Sequence, residues 1–481
     1  MSRLILGAMV RAVGAYPSGW RFPGAHRHPL GDAALLKRTA ALAEAARLDY
    51  LFFGDWLATG KDLEYRDPYL VARIDPLSAI TFLAGVTERI GLIATANTTY
   101  ADPYTLARAT ASVDILSGGR AGLNLVTGAE PRAAGNHGLD FHAANESRYD
   151  RAVEFEIALR RLWDSFDDDA IVADAETGVF LDEAKLHTTD FHGAHVSVTG
   201  PLNVARPPQG HLPIVHAGTS PRSRLFAAQS ADLALVAVGG LDHALAVREE
   251  LRSLAFESGR DDRELKVIAP VLPIIGDTLA EAQGIADRLA ELLPVAEDWA
   301  GGPPRGFPEA RSIRTLSQLV ELELDGLGPD REISPRLAAD FGAAGQALIE
   351  LVAARTGRRP GGPNPPRIRH LVVQQAVPAS MIVGTATDIA DEFEAWADAG
   401  AVDGFNVLSA VQPAQFEAFA LGVVPELQRR GVFPRAYETD TLRGHLGLAR
   451  PANVHAHGAA EAGRAPASTP EPAHLSESDV K

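Results

Sequence analysis

The sequence predicts an α/β fold, a TIM-type (β/α)8 barrel with insertions, on three observations. Short runs rich in Ile, Val and Leu alternate with longer helical patterns, the rhythm of strands buried on both faces of a parallel sheet. There are eight such runs, enough to close a ring. Four of them run straight into polar residues, and the carboxyl ends of the strands are where a closed barrel holds its ligand.

The expected strands lie near residues 4–10, 50–54, 90–97, 120–127, 213–217, 232–238, 265–275 and 404–408. Between the first two, Asp32 is placed to cap a helix whose Leu35, Leu42 and Ala46 return to one stripe. Between the third and fourth, Asp102 can accept orphan backbone N–H groups and Pro103 stands where its missing donor costs nothing. Gly118-Gly119 ends that helix.

Three stretches depart from a plain barrel. Residues 168–212, around LHTTDFHGAHVSVTGPL, read as a β-hairpin excursion. Residues 297–380 carry GGPP and RTGRRPGGPNPPRIR, a Pro/Gly-rich insertion expected to be irregular and placed to cover the barrel mouth as a lid, with disorder as the competing reading. The segment 451–481 lacks aromatic residues and is rich in Ala, Pro, Ser and Glu, so it is expected to stay disordered, leaving 1–450 as one domain.

Composition narrows the function. With 45 Lys plus Arg against 62 Asp plus Glu, the net charge of −17 argues against nucleic acid and anionic membranes as partners. The absence of cysteine excludes disulfides and thiolate chemistry and fits a reducing compartment. The opening residues, broken by Arg11, form neither a secretory core nor a span, so a cytoplasmic protein is expected.

The polar strand ends are Phe52-Phe53-Gly54-Asp55, Ala94 to Thr99, Asn124 to Thr127, and Ala217-Gly218-Thr219-Ser220. In the last of these, Gly218 allows close backbone approach, Thr219 or Ser220 can cap, and Pro221 opens a helix. Such a terminus suits a phosphate, although the segment alone reads first as an ordinary N-cap. Thr95 and Asn97, two apart on a strand, can share the barrel interior with Asn124 of the next strand, as ligand contacts or as a hydrogen-bonded layer. Asp55 is a ligand acceptor or a loop cap, and Tyr149 a ligand contact or packing. His187, His192 and His195, like His137 and His142, lack the helical spacing of a metal site, and no metal is expected. Neither a strand-linked Gly-x-Gly-x-x-Gly nor a Gly-x-Ser-x-Gly elbow is present.

Taken in order, FFGDWLA at 52–58, VTERIGLIATANTTYADPYTLAR at 86–108, DILSGGRAGLNLVTG at 114–128, RYDRAVEFEIALRRLWDSF at 148–166 and GPLNVARPPQGHLPIVHAGTS at 200–220 carry a family resemblance. Two further segments, at 382–408 and 423–448, extend it. Over most of residues 1–450 the chain resembles the nitrilotriacetate, dibenzothiophene sulfone and dimethylsulfide monooxygenase family of bacterial-luciferase-like flavin oxygenases. The resemblance implies noncovalent FMN, received reduced (FMNH2) from a separate NAD(P)H-dependent flavin reductase, and insertion of one oxygen atom from O2 into a small organic substrate. It implies flavin contacts at Asp55, Thr95, Tyr149 and Ser220, with Ser220 near the phosphate and Asn97 and Asn124 near the reactive edge of the ring; Asn97, Asn145, Gly218 and Thr219 complete the expected cofactor-binding set.

Three positions depart from the family pattern: Asn145 where histidine is expected, His216 where glutamine is frequent, and Gly128 where serine is common. Asn124, assisted by Thr95, is expected to position oxygen, because a neutral amide stabilises developing negative charge without releasing a proton. A homo-oligomer is expected by analogy. The rival readings are an F420-dependent oxidoreductase on the same barrel and a flavin carrier without catalysis.

Overall fold

The computed structural model describes residues 3–60, 68–293, 295, 313–324, 326–377 and 379–456. In chain order its first half contains β1 (Ile5–Met9), α1 (Asp32–Ala45), β2 (Tyr50–Phe53), α2 (Pro76–Ala84), β3 (Gly91–Asn97), α3 (Pro103–Ser117), β4 (Ala121–Val126), α4 (Ala133–Asn136) and α5 (Asn145–Trp163). A short antiparallel pair, β5 (Phe191–His192) and β6 (Ser197–Val198), follows inside the 168–212 excursion. Then come β7 (Ile214–Ala217), α6 (Pro221–Ser230), β8 (Leu233–Leu235), α7 (Leu241–Glu257), β9 (Lys266–Ile275) and α8 (Leu279–Leu292).

Strands β1, β2, β3, β4, β7, β8 and β9, together with β11 (Gly404–Leu408), pair in parallel and close on themselves through β8–β9 and β11–β1. This is the eight-stranded barrel that the eight apolar runs predict. Their alternation explains the two cores. Ile5, Phe52, Ile93, Val215, Leu233 and Ile268 fill the inside of the ring, while neighbours such as Leu51, Leu92, Leu123 and Ile214 pack outward against the helices, as a period of two requires.

At the amino end of the barrel, Leu442 of a short C-terminal helix plugs the ring. A Cβ on Gly91 or Gly122 would approach the Leu442 side chain to 2.4 or 2.7 Å, so both strands need glycine there. The opposite end, where the polar strand termini gather, is left for the site.

A ninth strand escapes the sequence reading. β10 (Ser380–Gly384) pairs with residues 271–275 of β9, while residues 266–268 and 268–271 of the same strand serve β8 and β11. β9 is ten residues long because it has three partners at different heights.

The described part of the 297–380 insertion is not irregular, which corrects that expectation. It contains α9 (Ile313–Val320), α10 (Pro335–Ala339), α11 (Ala343–Thr356) and α12 (Ile368–Ala376), packed through Leu316, Val320, Leu348, Val352, Leu371 and Val372 into a core of their own. The Pro/Gly run breaks only the join between α11 and α12, and α13 (Ala386–Asp398) resumes the barrel pattern. Residues 297–312, including GGPP, lie outside the described residues.

Two smaller expectations need correction. Asp32 is the first residue of α1 and its carboxylate meets the His26 ring at 2.6 Å, leaving Gly31 at the cap position. The buried face of α1 is accordingly Leu35, Leu36, Ala40 and Ala43. In the C-terminal segment, residues 451–456 are described and Asn453 is buried, donating to the carbonyls of Asp164 and Phe166 at the end of α5. The Arg206 guanidinium on the Pro451 carbonyl and the His455 ring stacked on His187 at 3.8 Å hold the same stretch. The rest, 457–481, lies outside the described residues. No helix among the described residues is long and apolar enough to cross a membrane.

Candidate active site

A cavity of about 430 Å3 opens at the carboxyl ends of β2, β3, β4 and β7, between the first turns of α5 and α6. Of the residues expected from sequence, Asp55, Asn97, Asn145, Tyr149, Gly218, Thr219 and Ser220 all line it. Residues up to 165 positions apart are thus brought together by the order of the strands and the placement of α5.

The β7–α6 corner is built as an anion cradle. Ser220 is the N-cap, its Oγ accepting from the Ser223 amide at 3.2 Å, and Pro221 follows where no donor is needed. A Cβ on Gly218 would lie 2.1 Å from Ser223 Oγ, so the approach of strand to helix demands glycine. Thr219 and Ser220 are exposed to the cavity and the positive end of the helix faces it.

His216, noted in the sequence only as a departure, fixes this corner. Its Nδ1 lies 2.7 Å from the Leu125 carbonyl, which can only accept, so Nδ1 carries the proton and Nε2 accepts from Ser223 Oγ at 2.9 Å. Burial pulls the imidazole down to about 4, which keeps it neutral. The ring stands edge-on to Phe226 at 4.8 Å and to Tyr149 at 6.0 Å, setting the position of the tyrosine.

Arg148 is a second cavity residue that sequence reasoning missed. It donates to the Ala143 carbonyl and, at 3.1 Å, to Asn145 Oδ1. Asn145 therefore orients the guanidinium, a job an amide oxygen can do.

On the barrel side, Asn97 Oδ1 accepts from the Thr99 amide at 3.0 Å, and Thr99 Oγ1 donates to the Thr127 carbonyl at 2.7 Å. Gly128 has φ +68°, and a Cβ there would lie 2.3 Å from Asn97 Nδ2. The family departure at 128 thus seats Asn97. Asp55 accepts from the Trp56 amide at 2.8 Å; burial raises its carboxyl above the usual range, and that amide and Arg73 oppose the rise. The Trp56 indole nitrogen is buried without a hydrogen-bond partner.

Thr95 and Asn124 lie deeper and are not part of this lining. The Asn124 amide donates to Thr95 Oγ1 at 2.9 Å, and its Oδ1 is buried without a partner. Thr95 instead borders a smaller neighbouring cavity. Among the histidines, His187 and His192 each meet an aspartate in the excursion, Asp167 and Asp190, whereas His137 and His142 flank Tyr100 beside the site. No group of three or more His, Asp or Glu suited to a metal ion occurs among the described residues.

The arrangement can bind an anion at α6 and hold a flat polar group against Asp55 and Asn97. Comparison with known proteins gives the family. Residues 18–403 match the luciferase-like monooxygenase family. The chain is 35% identical over 468 residues to nitrilotriacetate monooxygenase component A of Aminobacter aminovorans, covering 93% of this chain and 97% of that protein. It is 36% identical over 428 residues to dibenzothiophene-sulfone monooxygenase of Rhodococcus erythropolis, covering 86% and 89%. The crystal structure of DmoA from Hyphomicrobium sulfonivorans superposes with a TM-score of 0.76 at 27% identity, covering 92% of each chain. The match over most of the chain, on a closed barrel whose polar strand ends meet in one cavity, makes this protein a member of the luciferase-like monooxygenase family and an oxygen-using oxidoreductase.

Proposed function

We propose that this chain is the oxygenase component of a two-component system. It binds reduced FMN delivered by a separate NAD(P)H-dependent flavin reductase and inserts one oxygen atom into a small sulfur- or nitrogen-containing compound. The observation that carries this reading is the capped, glycine-lined start of α6 opening into a cavity of about 430 Å3, within the range of cofactor sites, about 300–1,000 Å3. Its donor set suits a phosphate, and the buried, unpartnered Trp56 nitrogen at the other end suits a polar ring.

Reduced FMN, when bound, supplies the electron pair that divides dioxygen between product and water. The chain's own residues do the rest. Gly218, Thr219 and Ser220 would hold the phosphate, Tyr149 and Arg148 the adjoining chain, and Asp55 and Asn97 the ring. Asn124, propped by Thr95, would offer its amide where negative charge develops. The partner reductase is in keeping with the relative named component A, and the cysteine-free sequence with a cytoplasmic setting.

The test is oxygen uptake by the full chain with FMN, NADH and a generic flavin reductase, against a panel of sulfides, sulfones and amines. Substrate-dependent uptake with one oxygen in the product is expected. FMN binding with only background peroxide across the panel would favour a carrier, and no FMN binding would reject the flavin reading.

A further inference from the structure

A second cavity of about 180 Å3 adjoins the first, between the outer face of β3 and helices α2 and α3. Most of its wall is apolar, Leu57, Leu77, Ala96, Ala101, Leu106 and Leu123, with Thr95 the polar residue among them. Asp55, Leu57 and Asn97 line both cavities, so the two meet along one shared wall edge. The wall is tied to α4, where Asn136 Nδ2 donates to the Leu57 carbonyl at 2.8 Å. The rim carries Asp55 and Asp75 together with Tyr100 and His137, whose rings stack at 4.4 Å and 8°.

We propose that this second cavity takes the apolar part of the substrate, a compact alkyl group or single aromatic ring on an uncharged molecule. The proposal rests on the monooxygenase reading above and narrows its substrate class. Three features support it. At the packing density of protein interiors the volume admits about seven heavy atoms, the size of one ring with a substituent. Aliphatic walls reward an uncharged hydrocarbon and give no return to a carboxylate, which loses its hydration on entry. Two aspartates at the rim repel polyanions, and a carboxylate placed there would push the already raised Asp55 carboxyl higher still. With Asp55 and Asn97 shared, a group in the second cavity leaves the neighbouring heteroatom facing the first.

The experiment compares methyl phenyl sulfide with thiodiacetate on the full chain carrying FMN. Binding is read first, by saturation-transfer NMR with oxidised FMN and no reductant, and turnover second, with reductase and NADH. Wild type is expected to bind the neutral sulfide and to oxidise it with a kcat/KM at least tenfold above that for the dianion. Leu77→Trp, which fills the cavity from α2, is expected to raise KM for the sulfide at least tenfold while the FMN Kd stays within twofold. Ala101→Leu, a smaller intrusion, gives a second variant if Leu77→Trp does not fold.

A preference for thiodiacetate, an unchanged KM in both variants, or a loss of FMN affinity in place of sulfide affinity would each overturn the proposal; the last would assign the cavity to the cofactor. Sulfide binding that Leu77→Trp abolishes, with no oxidation by wild type, would uphold the cavity and reject the monooxygenase reading. Oxidation indifferent to both variants would do the reverse.

Discussion

His216 on β7 accepts a hydrogen bond from Ser223 on α6 at 2.9 Å and donates to the Leu125 carbonyl on β4 at 2.7 Å, joining three elements through one neutral ring. Removing the ring in His216→Ala leaves two buried polar groups unpaired, a cost of about 1–3 kcal/mol. The variant should lower the urea midpoint and weaken FMN binding about tenfold by fluorescence titration. His216→Gln, which keeps an acceptor and a donor, should recover much of both.

The same burial gives a pH signature. His216 titrates near 4 in the fold, against an ordinary value of 6.5. Between those values the unfolded chain binds a proton that the native ring refuses, so this residue's contribution to stability falls as pH drops from 6.5 towards 4, by about 3 kcal/mol at the limit. The stability gap between wild type and His216→Gln should therefore be widest near pH 7 and shrink by pH 5. Parallel denaturant curves that keep a constant gap would contradict the neutral-ring assignment.

Gly128 adopts φ +68° against Asn97 Nδ2. Gly128→Ala adds both left-handed strain, about 1 kcal/mol, and a methyl group where the amide already stands. A loss of several degrees in Tm and a measurable fall in FMN affinity are expected. Gly135, around which a Cβ meets nothing within 4 Å, is the control, and its alanine variant should match wild type in both.

Asn124 and Thr95 are expected to govern coupling rather than cofactor affinity, since neither lines the main cavity and the Asn124 Oδ1 is unpartnered. Asn124→Ala should bind FMN within a few-fold of wild type yet yield less product and more hydrogen peroxide per NADH. Full product yield per NADH would rule out the role.

Asn453 holds the start of the C-terminal segment by two donated hydrogen bonds. Asn453→Ala should cost about 1–2 kcal/mol in the urea transition, with kcat unchanged because the residue is remote from the cavity.

Much of this protein is legible before folding. The eight strands, the caps of α3 and α6, and the polar strand ends each depend on neighbours within a few residues. Asp102 accepting from the Thr105 amide at 2.7 Å and Gly118 at φ +69° are local geometry that the sequence spells out. Because strand alternation has a fixed period, the polar residues at the strand ends converge once the ring closes, and Asp55, Asn97, Gly218, Thr219 and Ser220 share one cavity for that reason, while α5 brings Asn145 and Tyr149 to it.

What the tertiary structure alone decided involves partners far apart in the chain. Nothing near residue 216 announces that its ring will meet the Leu125 carbonyl, 91 positions away. Nor does the sequence show that β9 will serve three strands, or that Leu316 and Val372, on either side of a Pro/Gly-rich run in the chain, will share one core. Whether Thr95 and Asn124 face the main cavity or stand beneath it was set by the stagger of β3 against β4, a register that pairs Thr95 with Asn124. Local propensity fixes which segments become strands and helices; the distance from a side chain to its eventual partner is fixed only when the barrel closes.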